Sequence, residues 1–83
     1  MENQAQISVA THPVGTINII MNGEGRQFDT AISVHELLCR IGLNPGKVAV
    51  ELNRAILSRS TFADVLLADG DTLEIVHFVG GGA

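Results

Sequence analysis

An α+β fold is predicted: a small mixed sheet of four to five strands packed on one main helix, in the order β-β-α-β-β-β. Three observations predict it. Apolar residues alternate with period two near both ends of the sequence, a single capped stretch of helical period lies between them, and 83 residues admit one domain. A lone amphipathic helix has only the sheet to bury its stripe against, so the hairpin and the last strand must share one face over it. A chain this short buries roughly 60–65% of its unfolded surface, enough for one thin core without a deep pocket.

The elements follow in order. Residues 1–14 are polar and aperiodic, with Pro13 disfavouring helix at His12, and read as a flexible N-terminal extension. The domain is expected over 15–79 and a flexible glycine-rich tail over 80–83. Ile17, Ile19 and Met21 alternate as a strand. Asn22-Gly23-Glu24-Gly25 tolerates positive φ and turns the chain into a second strand near Arg26–Thr30. Ser33 followed by Glu36 is a capping box, with Ile32 and Leu37 at the staple positions. Val34, Leu37, Leu38 and Ile41 form the buried stripe of that helix; Gly42 stops it and Pro45 prevents a restart. Val48, Val50 and Leu52 share one side of a strand over Lys47–Leu52, and Asn53-Arg54 turns into a short strand at Ala55–Leu57. Ser60–Ala63 is expected as one helical turn capped by Ser60 or Thr61. Asp69-Gly70-Asp71 makes a tight turn before the final strand, Thr72–Val79.

Composition narrows the function. Five Lys+Arg against nine Asp+Glu exclude a phosphate-neutralising stripe, hence a nucleic-acid binder. No apolar run approaches the ~20 residues of a membrane span, and the N-terminus lacks the basic and apolar regions of a secretory signal. A single Cys excludes an internal disulfide and a multi-cysteine zinc cage and fits a reducing cytoplasm, the expected compartment. Basic and acidic residues balance up to Arg59, so the net −4 comes from Asp64, Asp69, Asp71 and Glu74. A partner that receives this end is expected to present a basic surface.

Conventional catalytic candidates fail. His35 and Cys39 share a helix face without a third ligand and read as structural or surface residues. Asp69 and Asp71 lack the rest of a calcium loop, and Gly23-Glu24-Gly25 is only a fragment of a dinucleotide fingerprint. His77 stands alone on its strand and reads as a packing or contact residue. No catalytic residue and no metal site are expected. The tail differs. Of nine glycines, where about six are usual at this length, Gly80, Gly81 and Gly82 are consecutive. They add no core; their use is reach and thinness, since the residues after Phe78 span roughly 15–18 Å when extended. Such a rope can carry a terminal carboxylate through a narrow channel into another protein's active site. With Leu73 and Ile75 on the helix, Val76 and Phe78 fall on the open sheet face beside Ala49, an apolar docking patch leading into the tail.

The segments Ser33–Leu38, Val48–Asn53, Ile56–Ser60 and above all Asp69–Gly82 (DGDTLEIVHFVGGG) resemble the thiamine-biosynthesis sulfur carriers of the ThiS family, nearly throughout from Thr16 onward. The resemblance implies a ubiquitin-like β-grasp fold. It implies further that the C-terminal glycine carboxylate is adenylated by a ThiF-type enzyme, which consumes ATP while the carrier binds no cofactor. The acyl group then becomes a thiocarboxylate with sulfur from a cysteine-derived donor enzyme, and this sulfur passes to a ThiG-type thiazole synthase. The matching motif residues are Gly81 and Gly82, with Gly80 completing the run. The sequence departs from the family in carrying Ala83 after the glycines, so Gly82 becomes terminal by proteolysis, Ala83 is tolerated, or Ala83 is a cloning remnant. It departs also in the length of its N-terminal extension. Alternative readings are the small subunit of molybdopterin synthase, a carrier for another sulfur pathway, and a ubiquitin-like interaction or conjugation module.

Overall fold

The alternating and helical patterns resolve into β1 (Thr16–Met21), β2 (Glu24–Asp29), α1 (Val34–Arg40), β3 (Val48–Leu52), β4 (Ala55–Ile56) and β5 (Thr72–His77). This is a computed structural model that describes residues 15–78; the expected extension over 1–14, and Val79 with the tail over 80–83, lie outside the described residues. Single turns of 3-10 helix precede β3 at Pro45–Lys47 and follow β4 at Arg59–Thr61. The sheet order is β2-β1-β5-β3-β4, with β5 parallel to β1 and the other neighbours antiparallel. The last strand therefore enters the centre of the sheet. This is the mixed sheet on one helix expected from the element order, with five strands, in the β-grasp arrangement that the resemblance implies.

Both two-residue hairpins follow from their turn residues. Asn22 (φ 49°) and Gly23 (φ 84°) join β1 to β2, and Asn53 (φ 50°) and Arg54 (φ 74°) join β3 to β4, the paired positive φ values of a type I′ turn. Glycine or asparagine suits such positions; Arg54 adopts one against its preference. β2 begins at Glu24 and ends at Asp29, two residues earlier at its start than the sequence pattern implied.

α1 starts where the capping signal placed it. Ser33 Oγ accepts from the Glu36 amide at 3.0 Å. The return arm of the capping box is replaced: Glu36 Oε2 accepts from Arg40 Nη2, one turn on, at 3.1 Å. The first two helical amides find backbone partners instead, Val34 N–H on Val65 O and His35 N–H on Phe62 O, both at 3.0 Å. The loop after β4 is thereby fastened to the helix start. At the other end, Leu43 N–H donates to Leu38 O at 2.8 Å and Gly42 N–H to Cys39 O at 3.1 Å, with Gly42 at φ 86°. That is a Schellman motif, and Gly42 supplies its left-handed residue.

The core lies between α1 and one sheet face: Ile17, Ile19 and Met21 from β1, Phe28 from β2, Val34, Leu37 and Leu38 from α1, Val48 and Val50 from β3, and Leu73 from β5. Ile32 and Leu37, at the staple positions, are both buried. Phe62 and Leu67, in the irregular segment before β5, complete the core. The turn in that segment departs from expectation: it spans Arg59–Thr61 with Ser58 at its N-cap, and no side chain caps it. Thr61 Oγ1 instead donates back to Ser58 O at 2.7 Å. Among the described residues, no helix is long and apolar enough to cross a membrane.

Candidate functional site

The strand that leads into the glycines is anchored largely by polar side chains at its start. Asp71 Oδ2 accepts from Ala68 N–H at 2.8 Å, and Asp71 Oδ1 accepts from Asn53 Nδ2 at 2.9 Å. Asn53 Oδ1 in turn accepts from Thr72 N–H at 2.9 Å. Asp69 Oδ1 accepts from Asn18 N–H at 2.7 Å. The two aspartates are thus turn-forming groups, as their spacing around Gly70 implied. One register step further, where β1 has already turned away, the Asn22 side chain takes over the ladder. Its Oδ1 accepts from Ile75 N–H at 2.7 Å and its Nδ2 donates to Ile75 O at 3.2 Å.

Beyond Ile75 the strand pairs only with β3 among the described residues, through Val76↔Ala49 and His77↔Val48, and Phe78 N–H then donates to Lys47 O at 3.0 Å. Directly opposed residues of an antiparallel pair share a face. Leu73 is fully buried and Ile75 packs partly into the core, so Val76 sits on the opposite, open face at 61% exposure, with Ala49 beside it. Phe78 is half exposed. The three predicted docking residues are therefore together at the end of the sheet from which the chain leaves.

Register adds what the alternation did not show. Glu51 lies opposite both Glu74 and Ile56, placing two carboxylates and the most exposed large apolar side chain among the described residues, Ile56 at 78%, on the same face as Val76. A shallow concavity of about 270 Å³ lies among Ala49, Glu51, Ile56, Glu74 and Val76. Like charges directly opposed in a sheet weaken it. Neither carboxylate has a hydrogen-bonded or ion-paired partner among the described residues; the ion pairs there are those of Arg40, with Asp29 at 2.9 Å and Glu36 at 3.1 Å. Arg40 is held protonated more firmly than usual, chiefly by its hydrogen bond to Asp29.

A second group also escaped the sequence pattern. The Arg59 guanidinium carbon stands 5.4 Å from the Phe78 ring centroid, so this ring is partly covered by a cation from its own chain. Only three-dimensional proximity links residues so far apart in sequence. The His35–Cys39 pair is formed, with Sγ 3.9 Å from Nδ1, on the exposed helix surface. Among the described residues, no group of three or more His, Cys, Asp or Glu is placed to hold a metal ion. His77 is exposed at the strand end. Gly80, Gly81 and Gly82, the predicted tail, and Gly82 as the predicted reacting terminus lie outside the described residues.

The chain has clear relatives. A family model described as the ThiS family matches residues 19–82. A protein named thiazole synthase from Paramagnetospirillum magneticum is 45% identical over 67 residues, covering 81% of this chain and 21% of that protein. The chain thus spans about a fifth of the length of the thiazole synthases it matches. The sulfur carrier protein ThiS of Bacillus subtilis is 42% identical over 50 residues, which is 60% of this chain and 76% of that one. The crystal structure of the thiamine biosynthesis protein (ThiS) from Geobacter metallireducens superposes with a TM-score of 0.69 at 35% identity, covering 80% of this chain and 100% of the other.

Proposed function

The chain belongs to the ThiS family, and from that premise we propose that it is a cytoplasmic sulfur carrier of thiamine biosynthesis, a protein substrate and not an enzyme. One observation carries the reading: the family match runs through the glycines and ends on Gly82, leaving Ala83 outside it. The reacting group is then the Gly82 carboxylate, exposed by loss of Ala83.

A carboxylate resists acyl transfer until its oxygen becomes a leaving group. A ThiF-type enzyme supplies this: a Gly82 carboxylate oxygen attacks the α-phosphorus of ATP, pyrophosphate departs, and an acyl-adenylate forms. A sulfide-level sulfur nucleophile that originates from cysteine and is presented by a donor enzyme then attacks the acyl carbon, the C–O bond to the adenylate breaks, and AMP leaves with that oxygen. The resulting thiocarboxylate is the sulfur source for a ThiG-type thiazole synthase. A segment like this chain occurs within proteins named thiazole synthase, and joining the two in one polypeptide supports direct contact between carrier and synthase. The carrier itself contributes delivery. Val76, Phe78 and Ala49 form the apolar centre of its docking face, and the unpaired Glu51 and Glu74 call for cationic groups on the partner.

The test is the intact mass of the chain ending at Gly82 after incubation with ATP, the ThiF-type enzyme and a sulfur donor. The expected product is heavier by one sulfur-for-oxygen exchange, and the chain retaining Ala83 stays unchanged. No mass change on the Gly82-terminated chain, or a stable complex with a molybdopterin synthase large subunit in place of thiazole synthase, would overturn the assignment.

A further inference from the structure

A carrier that works by threading its terminus into a partner needs the root of that terminus held in place. The root here is weakly secured by the sheet. β1 pairs with β5 only at Thr72 and Leu73, and Asn22 extends that support to Ile75. Val76, His77 and Phe78 are held from one side, by β3 and the Lys47 carbonyl. Strand ends fray first, and more readily where solvent-exposed backbone bonds hold them from one side. Fraying here would add three residues to the length of chain that the partner has to capture.

Arg59 acts at this point. Its Nε donates to Pro45 O at 3.2 Å, and its Nη2 reaches Val48 O at 3.4 Å. Its guanidinium carbon lies 5.4 Å from the centroid of the Phe78 ring. One side chain thus joins the turn before β3, the first residue of β3, and the last described residue before the tail. The chemistry requires an arginine: a planar guanidinium can stack on a ring while its fork donates to two carbonyls, whereas an ammonium is a point donor.

We propose that Arg59 is a positioning residue for activation, clamping Phe78 so that residues 79–82 begin from a fixed point and direction when they enter the adenylating enzyme. The inference deepens the carrier function proposed above and rests on it. Clamping acts before the chemistry. A root that is docked for only part of the time lowers apparent affinity in proportion to that fraction and leaves the reaction of the bound terminus alone.

The experiment compares Arg59, Arg59→Lys and Arg59→Ala in the chain ending at Gly82, with two readouts. The first is amide exchange at Phe78 in the isolated chain, with Ile75 as internal control. Arg59→Ala is expected to reduce Phe78 protection about two- to fivefold, the ratio an exposed cation–π contact supports, while Ile75 is unchanged. The second is pyrophosphate release by the ThiF-type enzyme with ATP. KM for the carrier is expected to rise at unchanged kcat by the ratio of docked fractions that the exchange protection gives, up to about two- to fivefold, with Arg59→Lys intermediate in both readouts. Unchanged Phe78 protection in Arg59→Ala overturns the clamp. Normal KM despite lost protection overturns its role in activation, as does a fall in kcat that tracks lost thermal stability. If the unsubstituted Gly82-terminated chain is never adenylated, the carrier function fails and the role in activation with it, while the exchange readout still decides the clamp.

Discussion

Asn22 offers the sharpest test of how this fold holds its exit strand. Its side chain makes two hydrogen bonds to Ile75, at 2.7 and 3.2 Å, and its own backbone is left-handed at φ 49°. These contributions separate with two substitutions. Asn22→Gly removes both bonds and tolerates the turn. A net 0.5–1.5 kcal/mol per bond, taken at the low end because both are solvent-exposed, gives a loss of about 1 kcal/mol. Asn22→Ala removes the same bonds and puts a residue that disfavours the left-handed region where asparagine tolerates it, about 1 kcal/mol more. For a domain of this size, 1 kcal/mol is roughly 4–8 °C in Tm, so the glycine variant should melt about 4–8 °C lower and the alanine variant about 8–16 °C lower. Reversible thermal and urea unfolding measure both. Amide exchange at Ile75 localises the effect, since that N–H loses its only acceptor among the described residues. Equal losses in the two variants would refute the backbone argument. A glycine variant as stable as the unsubstituted chain would refute the idea that a side chain extends the β1–β5 ladder.

Two predictions concern the docking face. Val76→Asp should lower stability by about 1 kcal/mol, since it replaces a strand-favouring residue and adds a third carboxylate to the face of Glu51 and Glu74, and should raise KM for adenylation about tenfold at unchanged kcat, as loss of an interface contact does; unaltered kinetics would remove Val76 from the interface. Glu74→Gln should act with opposite signs on fold and partner. Relief of the Glu51–Glu74 repulsion should stabilise the chain by a few tenths of a kcal/mol in urea titrations, while activation slows at low salt and loses part of its salt dependence.

The parts of this architecture that repeat are legible in the sequence. Alternation places Ile17, Ile19, Met21, Val48, Val50 and Leu73 in the core, and Ser33 and Gly42 mark the helix boundaries. The same alternation puts Val76 and Ala49 on the open face. The segment between β4 and β5 is not legible. Phe62 and Leu67 are core residues on irregular backbone, where no period announces them, and a single 3-10 turn is too short to reveal its cap. Half of the candidate site is hidden for a related reason. Which residues oppose each other depends on strand register, and alternation leaves register open; hence the Glu51–Glu74–Ile56 grouping emerges only with the fold. Arg59 reaches Phe78 through tertiary approach alone.

The same geometry changes the meaning of the acidic stretch after Arg59. Four carboxylates after Arg59 produce the whole net charge, but they do different work. Asp69 and Asp71 are committed to the amides of Asn18 and Ala68 and to Asn53, at the end of β5 farther from the tail. Thr72 and Phe78 are separated by six residues of extended chain, roughly 20 Å. At that distance, beyond a Debye length at physiological ionic strength, the two aspartates add little to the field at the tail root, and a direct salt bridge would compete with their turn bonds. Glu74, joined by Glu51 from the charge-balanced residues 1–59, has no polar partner among the described residues, while the Arg59 cation stands beside Phe78. The proposed docking face therefore runs from acidic at mid-sheet, at Glu51 and Glu74, to cationic at Arg59 beside Phe78. On the carrier reading proposed above, a partner that matches that order along β5 fixes the direction in which the terminus enters.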